Sequence, residues 1–345
     1  MVEELSKDAI LKDLELDKKL AAEGYVVVPF LSPQAVEELK EFFYSHHTDT
    51  LPGFYATAHS QDIPFRNKMN DKVKAVFQDS INTTFINCEA LGGSFIAKTK
   101  TQEERLHPHQ DWNIVDETKY RSFNIWVPLV NLTEENGAIR VLPGSHLWGL
   151  NYRGPNIQDE RANQLENYWS AMKTLLMTAG EALIYDHRLY HASFANKTDN
   201  YRLASVFGIK PRTAEMFYYY GTNKGIDVYE SSVDFFMNGD IQNGPKELKK
   251  IKQIALKSFK EKSVVTSPQA ASFLEKDYDY LVLESSNELG GYCKTTKRNG
   301  FVWDYSGHFF HFRNSEIKQY MMSEMNCEKV EIQKITDIDY KGNII

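Results

Sequence analysis

The sequence predicts an α+β protein in which a double-sheet jelly roll or barrel carries flanking helices and is followed by a small α/β segment. Three observations lead there. Between residues 85 and 210, short apolar or alternating runs are separated by turn residues, which is typical of an antiparallel β fold. Helical patterns precede this region, and the composition changes again at residue 264.

The N-terminal elements are predicted from spacing and capping residues. Residues 7–22 place leucine and isoleucine at helical intervals among charges, which predicts an amphipathic helix. Residues 24–31 (GYVVVPFL) are rich in β-branched side chains and predict a strand. Ser32 is a typical N-cap and Pro33 a typical first helical residue, so a second helix begins there. A further helix is predicted over residues 70–80.

The central region predicts a series of strands separated by turn chemistry such as ENG, PGS and NKTDN. The strand-like runs are FINCEALGGSFIAKT, RSFNIWVPLVNL, GAIRVLP, GEALIYDH, LYHASFAN and RLASVFGIK. Residues 157–175 interrupt them with a polar insert that we predict to be helical.

Residues 244–263 predict a lysine-rich helix that closes the first domain, with seven lysines between residues 246 and 262. The apolar residues at helical spacing are Leu248, Ile251, Ala255 and Phe259. A membrane-surface helix is the alternative. We favour a solvated helix because the apolar face is narrow. The predicted domains are therefore residues 1–263 and 264–345.

Composition and charge exclude several classes of protein. The chain has 345 residues and a formal net charge of −7, which argues against a nucleic-acid partner. The three cysteines, Cys88, Cys293 and Cys327, are far apart, so we expect no disulfide framework and a reducing compartment. The N-terminus lacks the apolar core of a signal peptide, and no apolar run reaches the length of a membrane span. We expect a cytoplasmic protein.

A candidate metal site begins with LHPHQDW at residues 106–112. His109 and Asp111 are two residues apart, so on an extended segment their side chains point to the same side. One further histidine would complete the facial triad that leaves open positions on Fe(II). An HxD pair alone is a weak signal, but residues 181–194 offer His187 and His191 on a predicted strand.

Arg202 is the second part of this pattern. It lies eleven residues after His191, in the alternating predicted strand RLASVFGI. An arginine inside a barrel strand needs an anion, because a buried unpaired charge is costly. A dicarboxylate co-substrate would satisfy it through a bidentate pair.

These motifs together resemble the phytanoyl-CoA dioxygenase family of Fe(II)- and 2-oxoglutarate-dependent oxygenases. The supporting segments are GYVVVPFLS near the start, NIWVPLVNLTEENGAIRVLPGSH at 124–146 and GEALIYDHRLYHAS at 180–193. The resemblance covers residues 20–212. It implies a double-stranded β-helix of the cupin-like type and a dioxygenase that binds iron and 2-oxoglutarate.

The resemblance also implies a role for individual residues. The metal ligands would be His109, Asp111 and His191. Arg202 would bind the distal carboxylate of 2-oxoglutarate, with Ser193 and Trp126 lining the co-substrate site. Three more histidines, His107, His187 and His146, occupy positions that are not ligands in the family pattern.

The implied reaction is hydroxylation of a C–H bond with O₂, releasing succinate and CO₂. A carboxylate at position 111 favours hydroxylation over halogenation, because related halogenases carry a small residue there. Family substrates include acyl-CoA thioesters, amino acids, carrier-bound intermediates and small natural products, so the resemblance predicts a small-molecule substrate without choosing one. The sequence makes no prediction about oligomeric state.

Residues 278–312 resemble the N-terminal FAD-binding segment of UDP-galactopyranose mutase-like flavoproteins. Glu284, the pair Gly290-Gly291 and His308 match positions of that pattern. The glycine loop that should precede them is absent, since Val264 and Val265 lead through TSPQ into two alanines. Without those glycines the backbone cannot approach a pyrophosphate. We therefore expect an incomplete segment that does not bind FAD.

Two alternatives to the oxygenase stay open at this point. A flavoprotein of the mutase type would have to bind flavin without its glycine loop. A non-catalytic cupin-like binding protein would carry the barrel but turn over no 2-oxoglutarate.

Overall fold

The computed structural model describes residues 9–254, apart from 48–50, 52, 101–104, 160, 240 and 242–243, and six short strands further along the chain. The chain divides into two compact units, Met1–Glu261 and Lys262–Ile345. Among the described residues, no helix is long and apolar enough to cross a membrane.

Four of the five described helices of the first unit begin at capping residues that the sequence makes recognisable, and the helix Leu165–Ala171 is the exception. The Asp13 side chain accepts hydrogen bonds from two backbone N–H groups at the start of the first helix, and Ser32 caps the second in the same way. The helix predicted over 70–80 lies within a longer one that begins after a third cap, Asp62. The helices are α1 (Leu14–Glu23), α2 (Pro33–His46), α3 (Ile63–Thr84), α4 (Leu165–Ala171) and α5 (Val233–Asn238).

Among the described residues of the first unit, thirteen strands form three sheets, and every strand pair is antiparallel. The strands are β1 (Tyr25–Pro29), β2 (Phe54–Ala56), β3 (Cys88–Lys98), β4 (Leu106–His109), β5 (Phe123–Pro128), β6 (Ile139–Val141), β7 (Lys173–Leu175), β8 (Glu181–Asp186), β9 (His191–Ser193), β10 (Arg202–Pro211), β11 (Phe217–Thr222), β12 (Gly225–Glu230) and β13 (Lys250–Ile254). The larger sheet has the order β1-β8-β5-β10-β3-β2, the smaller β4-β9-β6-β7, and the third β11-β12-β13. The predicted combination of antiparallel sheets and flanking helices is confirmed.

The larger sheet is buried on both faces, as alternation along β5 illustrates. Ile125 and Val127 belong to the core formed with α2 and α3, where Phe43 and Phe77 are fully buried. Trp126 points to the opposite face and belongs to a second apolar cluster, which includes residues of β6 and β7. Helices therefore cover one face of the large sheet, and the small sheet packs towards the other.

The predicted helix over 244–263 is wrong where the structure describes it, because Lys250–Ile254 is strand β13 at the edge of the third sheet. Lys250 forms an ion pair with Asp227 of β12 at 2.7 Å, and Gln253 donates to the same carboxylate at 2.7 Å. Cross-strand pairing thus outweighs the helical spacing of the apolar residues. Exposed lysines are typical of edge strands, where they oppose pairing with other chains.

The polar insert at 157–175 is helical only in part. It contains a 3₁₀ turn at Ala162–Gln164 followed by α4, but its last residues, Lys173–Leu175, form β7 against β6.

The second unit is described by short strand pairs. Val264–Val265 pairs in parallel with Leu281–Val282, while Thr295–Arg298 pairs with Phe301–Asp304 and Asp339–Tyr340 with Asn343–Ile344 as antiparallel hairpins. The predictions for Glu284, Gly290, Gly291, His308, Cys293 and Cys327 lie outside the described residues.

Candidate metal centre and adjoining cavity

Two strands of the smaller sheet bring the predicted histidine ligands together. β4 pairs with β9 so that His109 lies directly opposite His191. Opposite residues of an antiparallel pair project from the same face, and the two imidazole centroids are 4.2 Å apart. Asp111 follows β4, where its backbone N–H donates to the His187 carbonyl at 3.0 Å. Ligand atoms of the three side chains lie within 4.8 Å of one another.

Backbone carbonyls orient both imidazole rings. Nδ1 of His109 lies 2.9 Å from the carbonyl oxygen of His107, and Nδ1 of His191 lies 3.0 Å from that of Leu189. A carbonyl can only accept, so each Nδ1 carries the proton. In the neutral form of each ring Nε2 then keeps a free lone pair, the form in which histidine binds a metal.

Asp111 is held by hydrogen bonds to one of its two oxygens. Oδ2 accepts from Nδ2 of Asn124 at 2.8 Å and from the Tyr185 hydroxyl at 3.0 Å. Oδ1 lies 3.8 Å from Nε2 of His191. Burial disfavours the ionised carboxylate, but the neighbouring histidines outweigh it and lower the Asp111 pKa to about 2. The side chain is thus an oriented carboxylate with one oxygen directed towards the imidazoles.

Burial also governs the pKa of His109, where it disfavours the charged imidazolium. Burial and the proximity of His191 lower the His109 pKa to about 4, so the imidazole is neutral at pH 7. Two imidazoles and one carboxylate form a donor set that fits a divalent first-row metal such as iron(II).

Arg202 is a buried cation next to this group. It begins β10, is 2% exposed, and its guanidinium carbon lies 5.2 Å from the centre of the Trp126 ring. Its Nε has no hydrogen-bond partner among the described residues. Burial lowers the Arg202 pKa to about 10, which still leaves it protonated at neutral pH. A buried cation of this kind is stable only beside an anion.

Ser193 lies two residues beyond His191 on β9, and its environment contains a residue that the sequence analysis missed. The buried ammonium of Lys98 donates to Oγ of Ser193 at 2.9 Å and to the Phe194 carbonyl at 2.6 Å. Lys98 is the β3 partner of Arg202 in the strand register. The available signal was that Lys98 is in phase with Ser94 and Ile96 along β3. Ser94, Ile96 and Ser193 all line one cavity.

Asn124 and Tyr185 were also missed. They lie opposite each other on β5 and β8. Asn124 is two residues from Trp126, so a polar residue in phase with a predicted site residue was the signal for it. The sequence contains no such signal for Tyr185, since a tyrosine in an apolar strand is typical of an ordinary protein core.

The three histidines predicted to be non-ligands lie outside the donor set, in different surroundings. His107 is exposed, and His146 is buried with Nε2 donating to the Ala21 carbonyl at 3.0 Å. His187 is buried beside Asp111, and its Nδ1 lies 2.9 Å from Oγ of Ser122.

All the predicted site residues line one cavity of about 470 Å³. They are His109, Asp111, Trp126, His191, Ser193 and Arg202. This volume is in the range of small-molecule sites.

The region that contains this cavity matches a known protein family. The model of the phytanoyl-CoA dioxygenase (PhyH) family matches residues 20–204, more than half of the chain. The chain belongs to that family. A second model, described as an NAD(P)-binding Rossmann-like domain, matches residues 269–323.

Two curated relatives are the dioxygenases trt7 of Aspergillus terreus and andF of Emericella variicolor, each 33% identical to this chain over 101 and 128 residues. The aligned segments cover 27% and 35% of this chain and 31% and 41% of the relatives. The chain therefore matches less than half the length of either protein.

Solved structures with a similar fold include HygX from Streptomyces hygroscopicus with nickel and 2-oxoglutarate bound, at 18% identity and a TM-score of 0.40, covering 61% of this chain and 88% of that one. Another is the epimerase SnoN in complex with Fe³⁺, alpha ketoglutarate and nogalamycin RO, at 19% identity and a TM-score of 0.45, covering 70% and 96%.

Proposed function

We propose that the protein is an Fe(II)- and 2-oxoglutarate-dependent dioxygenase that hydroxylates a C–H bond of a small organic substrate. The observation that carries the proposal is the convergence of two oriented imidazoles, one oriented carboxylate and one buried cation on a single cavity. We also propose that the two larger sheets form a double-stranded β-helix.

In this proposal, Nε2 of His109, Nε2 of His191 and Oδ1 of Asp111 hold the metal. Iron(II) in a three-ligand site of this kind supplies the activation of O₂, with 2-oxoglutarate as co-substrate. The carbonyls of His107 and Leu189 fix both rings, so little reorganisation accompanies metal binding.

The co-substrate would be positioned by its distal carboxylate. Arg202 offers a planar pair of N–H donors, and Trp126 confines the guanidinium from one side. The Ser193 hydroxyl accepts from Lys98, which leaves its own proton for the same carboxylate. Because Arg202 is almost fully buried, this pairing would form in a low dielectric with little competition from water.

The test is an anaerobic titration of metal-free protein with Fe(II) and 2-oxoglutarate, following the visible metal-to-ligand charge-transfer band. We expect the band in the wild type, its loss in His191→Ala, and in Arg202→Ala a 2-oxoglutarate dissociation constant raised at least about tenfold, because the loss of a charged hydrogen-bonding partner costs about 1.5–3 kcal/mol.

Matched controls separate these effects from general damage. His46→Ala on α2 and Arg212→Ala just beyond β10 remove the same side-chain types outside the cavity lining. Both should retain the wild-type band and affinity. A wild-type protein that shows no band, with folding verified by its circular dichroism, would contradict the proposal and favour the binding-protein alternative.

We further propose that residues 264–345 do not bind FAD, because residues 264–271 (VVTSPQAA) contain no glycine that would let the backbone approach a pyrophosphate. The family match at 269–323 begins within this stretch. The segment can therefore resemble the family and still lack the glycine loop that binds a pyrophosphate.

A further inference from the structure

The cavity lining carries few charges beyond those already assigned. Among the described residues that line it there is no lysine and no glutamate, and Arg202 and Asp111 are its sole arginine and aspartate. Under the proposed function, Arg202 binds 2-oxoglutarate and Asp111 binds the metal. The remaining wall therefore offers a substrate no fixed charge.

The rest of the wall is largely apolar and comes from several elements. Its larger apolar side chains include Leu91, Ile96, Leu106, Ile139, Phe236 and Met237. Phe236 and Met237 belong to α5, which packs closely on β3: a Cβ added at Gly92 would lie 2.6 Å from Sδ of Met237. α5 lies beyond residue 204, where the family match ends. Part of the wall is thus contributed by this chain outside the family's shared region.

One polar group in the wall has no assigned partner. His187 is 5% exposed and lines the cavity, and its Nε2 finds no hydrogen-bond partner among the described residues. The Ser122 hydroxyl, 2.9 Å from Nδ1, donates its proton in the arrangement that satisfies both groups. Nε2 then carries the imidazole proton and acts as a donor, so a buried site of this kind favours a ligand oxygen.

Resting on the proposed function for the roles of Arg202 and Asp111, we propose that the substrate is an uncharged, largely apolar molecule that presents one hydroxyl or carbonyl oxygen to Nε2 of His187. Once 2-oxoglutarate and the metal occupy Arg202 and Asp111, a phosphate or carboxylate entering the remaining space would lose hydration without meeting a further cation in the described lining, which is costly. An apolar skeleton would gain by burial against the wall. Among the substrate classes that the family resemblance implies, the cavity therefore disfavours amino acids and phosphorylated molecules.

The experiment compares three probes that share one skeleton: cyclododecanol, its phosphate monoester and cyclododecane. Their dissociation constants are measured by calorimetric or competition titration under anaerobic conditions, on the full chain with Fe(II) and 2-oxoglutarate and again without either. We expect the alcohol to bind about fivefold more tightly than the hydrocarbon, as one hydrogen bond allows. With 2-oxoglutarate bound at Arg202, the phosphate should bind at least about tenfold more weakly than the alcohol.

Variants test the two parts of the proposal separately. His187→Phe should reduce the preference for the alcohol over the hydrocarbon to about one while the hydrocarbon still binds, and His187→Gln, which retains an N–H donor, should restore part of the preference. His46→Phe, outside the cavity lining, should leave it unchanged. Phe236→Ala should weaken all three probes because it removes apolar wall.

In the protein loaded with Fe(II) and 2-oxoglutarate, tighter binding of the phosphate than of the alcohol, or failure of both uncharged probes to bind, would overturn the proposal. A preference for the alcohol that persists in His187→Phe would overturn the assignment of His187. These outcomes can be distinguished from a failure of the proposed function, because the charge-transfer band is measured separately. If the uncharged probes bind a protein that lacks the charge-transfer band, the cavity assignment holds and the oxygenase proposal is wrong. If the band forms but the uncharged probes do not bind, the oxygenase proposal holds and the cavity assignment is wrong.

Discussion

At the scale of single residues, Tyr185 fixes the orientation of the Asp111 carboxylate, which is a metal ligand in the proposed function. Its hydroxyl donates to Oδ2 at 3.0 Å, as Asn124 does at 2.8 Å, so rotation of the carboxylate would break two hydrogen bonds. Residues that orient a ligand in this way affect metal affinity nearly as strongly as the ligands themselves.

We predict that Tyr185→Phe raises the Fe(II) dissociation constant about tenfold or more, because the carboxylate loses one of its two anchors. The measurement is anaerobic competition with a metal-binding dye. Tyr168→Phe is the control, since its hydroxyl bonds to Gln164 instead. Equal affinities in the two variants would contradict the prediction.

The same scale shows what the sequence can predict of the site. His109, Asp111, His191 and Arg202 are recognisable because their types and spacing match a known pattern. Lys98 and Tyr185 act across strands, and their roles depend on which residues face each other in the sheets. That register follows from long-range packing, which the spacing of residues along the chain does not report.

At the scale of elements, the segment that follows β4 is held in place by hydrogen bonds from Arg153, which lies in a different loop. Arg153 donates from Nε to the Asp111 carbonyl at 2.6 Å, and its two terminal nitrogens reach the Glu117 carboxylate at 2.9 and 2.6 Å. Both side chains are nearly fully buried, at 7% and 1% exposure. This bidentate pair therefore fixes the backbone that carries Asp111, the proposed carboxylate ligand.

We predict that Glu117→Gln lowers the free energy of unfolding by about 3 kcal/mol, because it leaves the buried Arg153 charge without its partner. Chemical denaturation measures this change. Glu38→Gln is the matched control: it breaks an ion pair with Lys72, but both side chains are partly exposed, at 54% and 24%, and water can replace the lost partner. We expect a loss of about 1 kcal/mol or less there. Similar losses in both variants would contradict the prediction.

Strand β13 shows at the same scale why local patterns can mislead. Leu248, Ile251 and Ala255 suit one face of a helix, yet the segment from Lys250 pairs with β12. The carboxylate of Asp227 accepts from two residues of that strand, which helical spacing cannot anticipate. Tertiary pairing of this kind decides between helix and strand wherever a segment is short and weakly apolar.

At the scale of the whole molecule, the chain combines two parts that match different families. Residues 20–204 match the dioxygenase family, and 269–323 match a Rossmann-like domain. The change of texture at residue 264 predicts a domain boundary, because the strand-rich pattern of the first region ends before it. A sequence can report such a boundary since each domain needs an apolar core of its own.

We predict that a fragment ending at Glu261 retains the whole site, because every residue that lines the described cavity lies between Phe54 and Met237. Its charge-transfer band and its 2-oxoglutarate dissociation constant should equal those of the full chain within about twofold, since domains with separate cores act independently to a first approximation. The same anaerobic titration, run on both proteins with circular dichroism as the check on folding, makes the comparison. A folded fragment that lacks the band would mean that the metal centre depends on Lys262–Ile345, and the chain would then act as one functional unit. Equal titrations would instead assign the oxygenase chemistry to the first unit and leave the second free for a separate role.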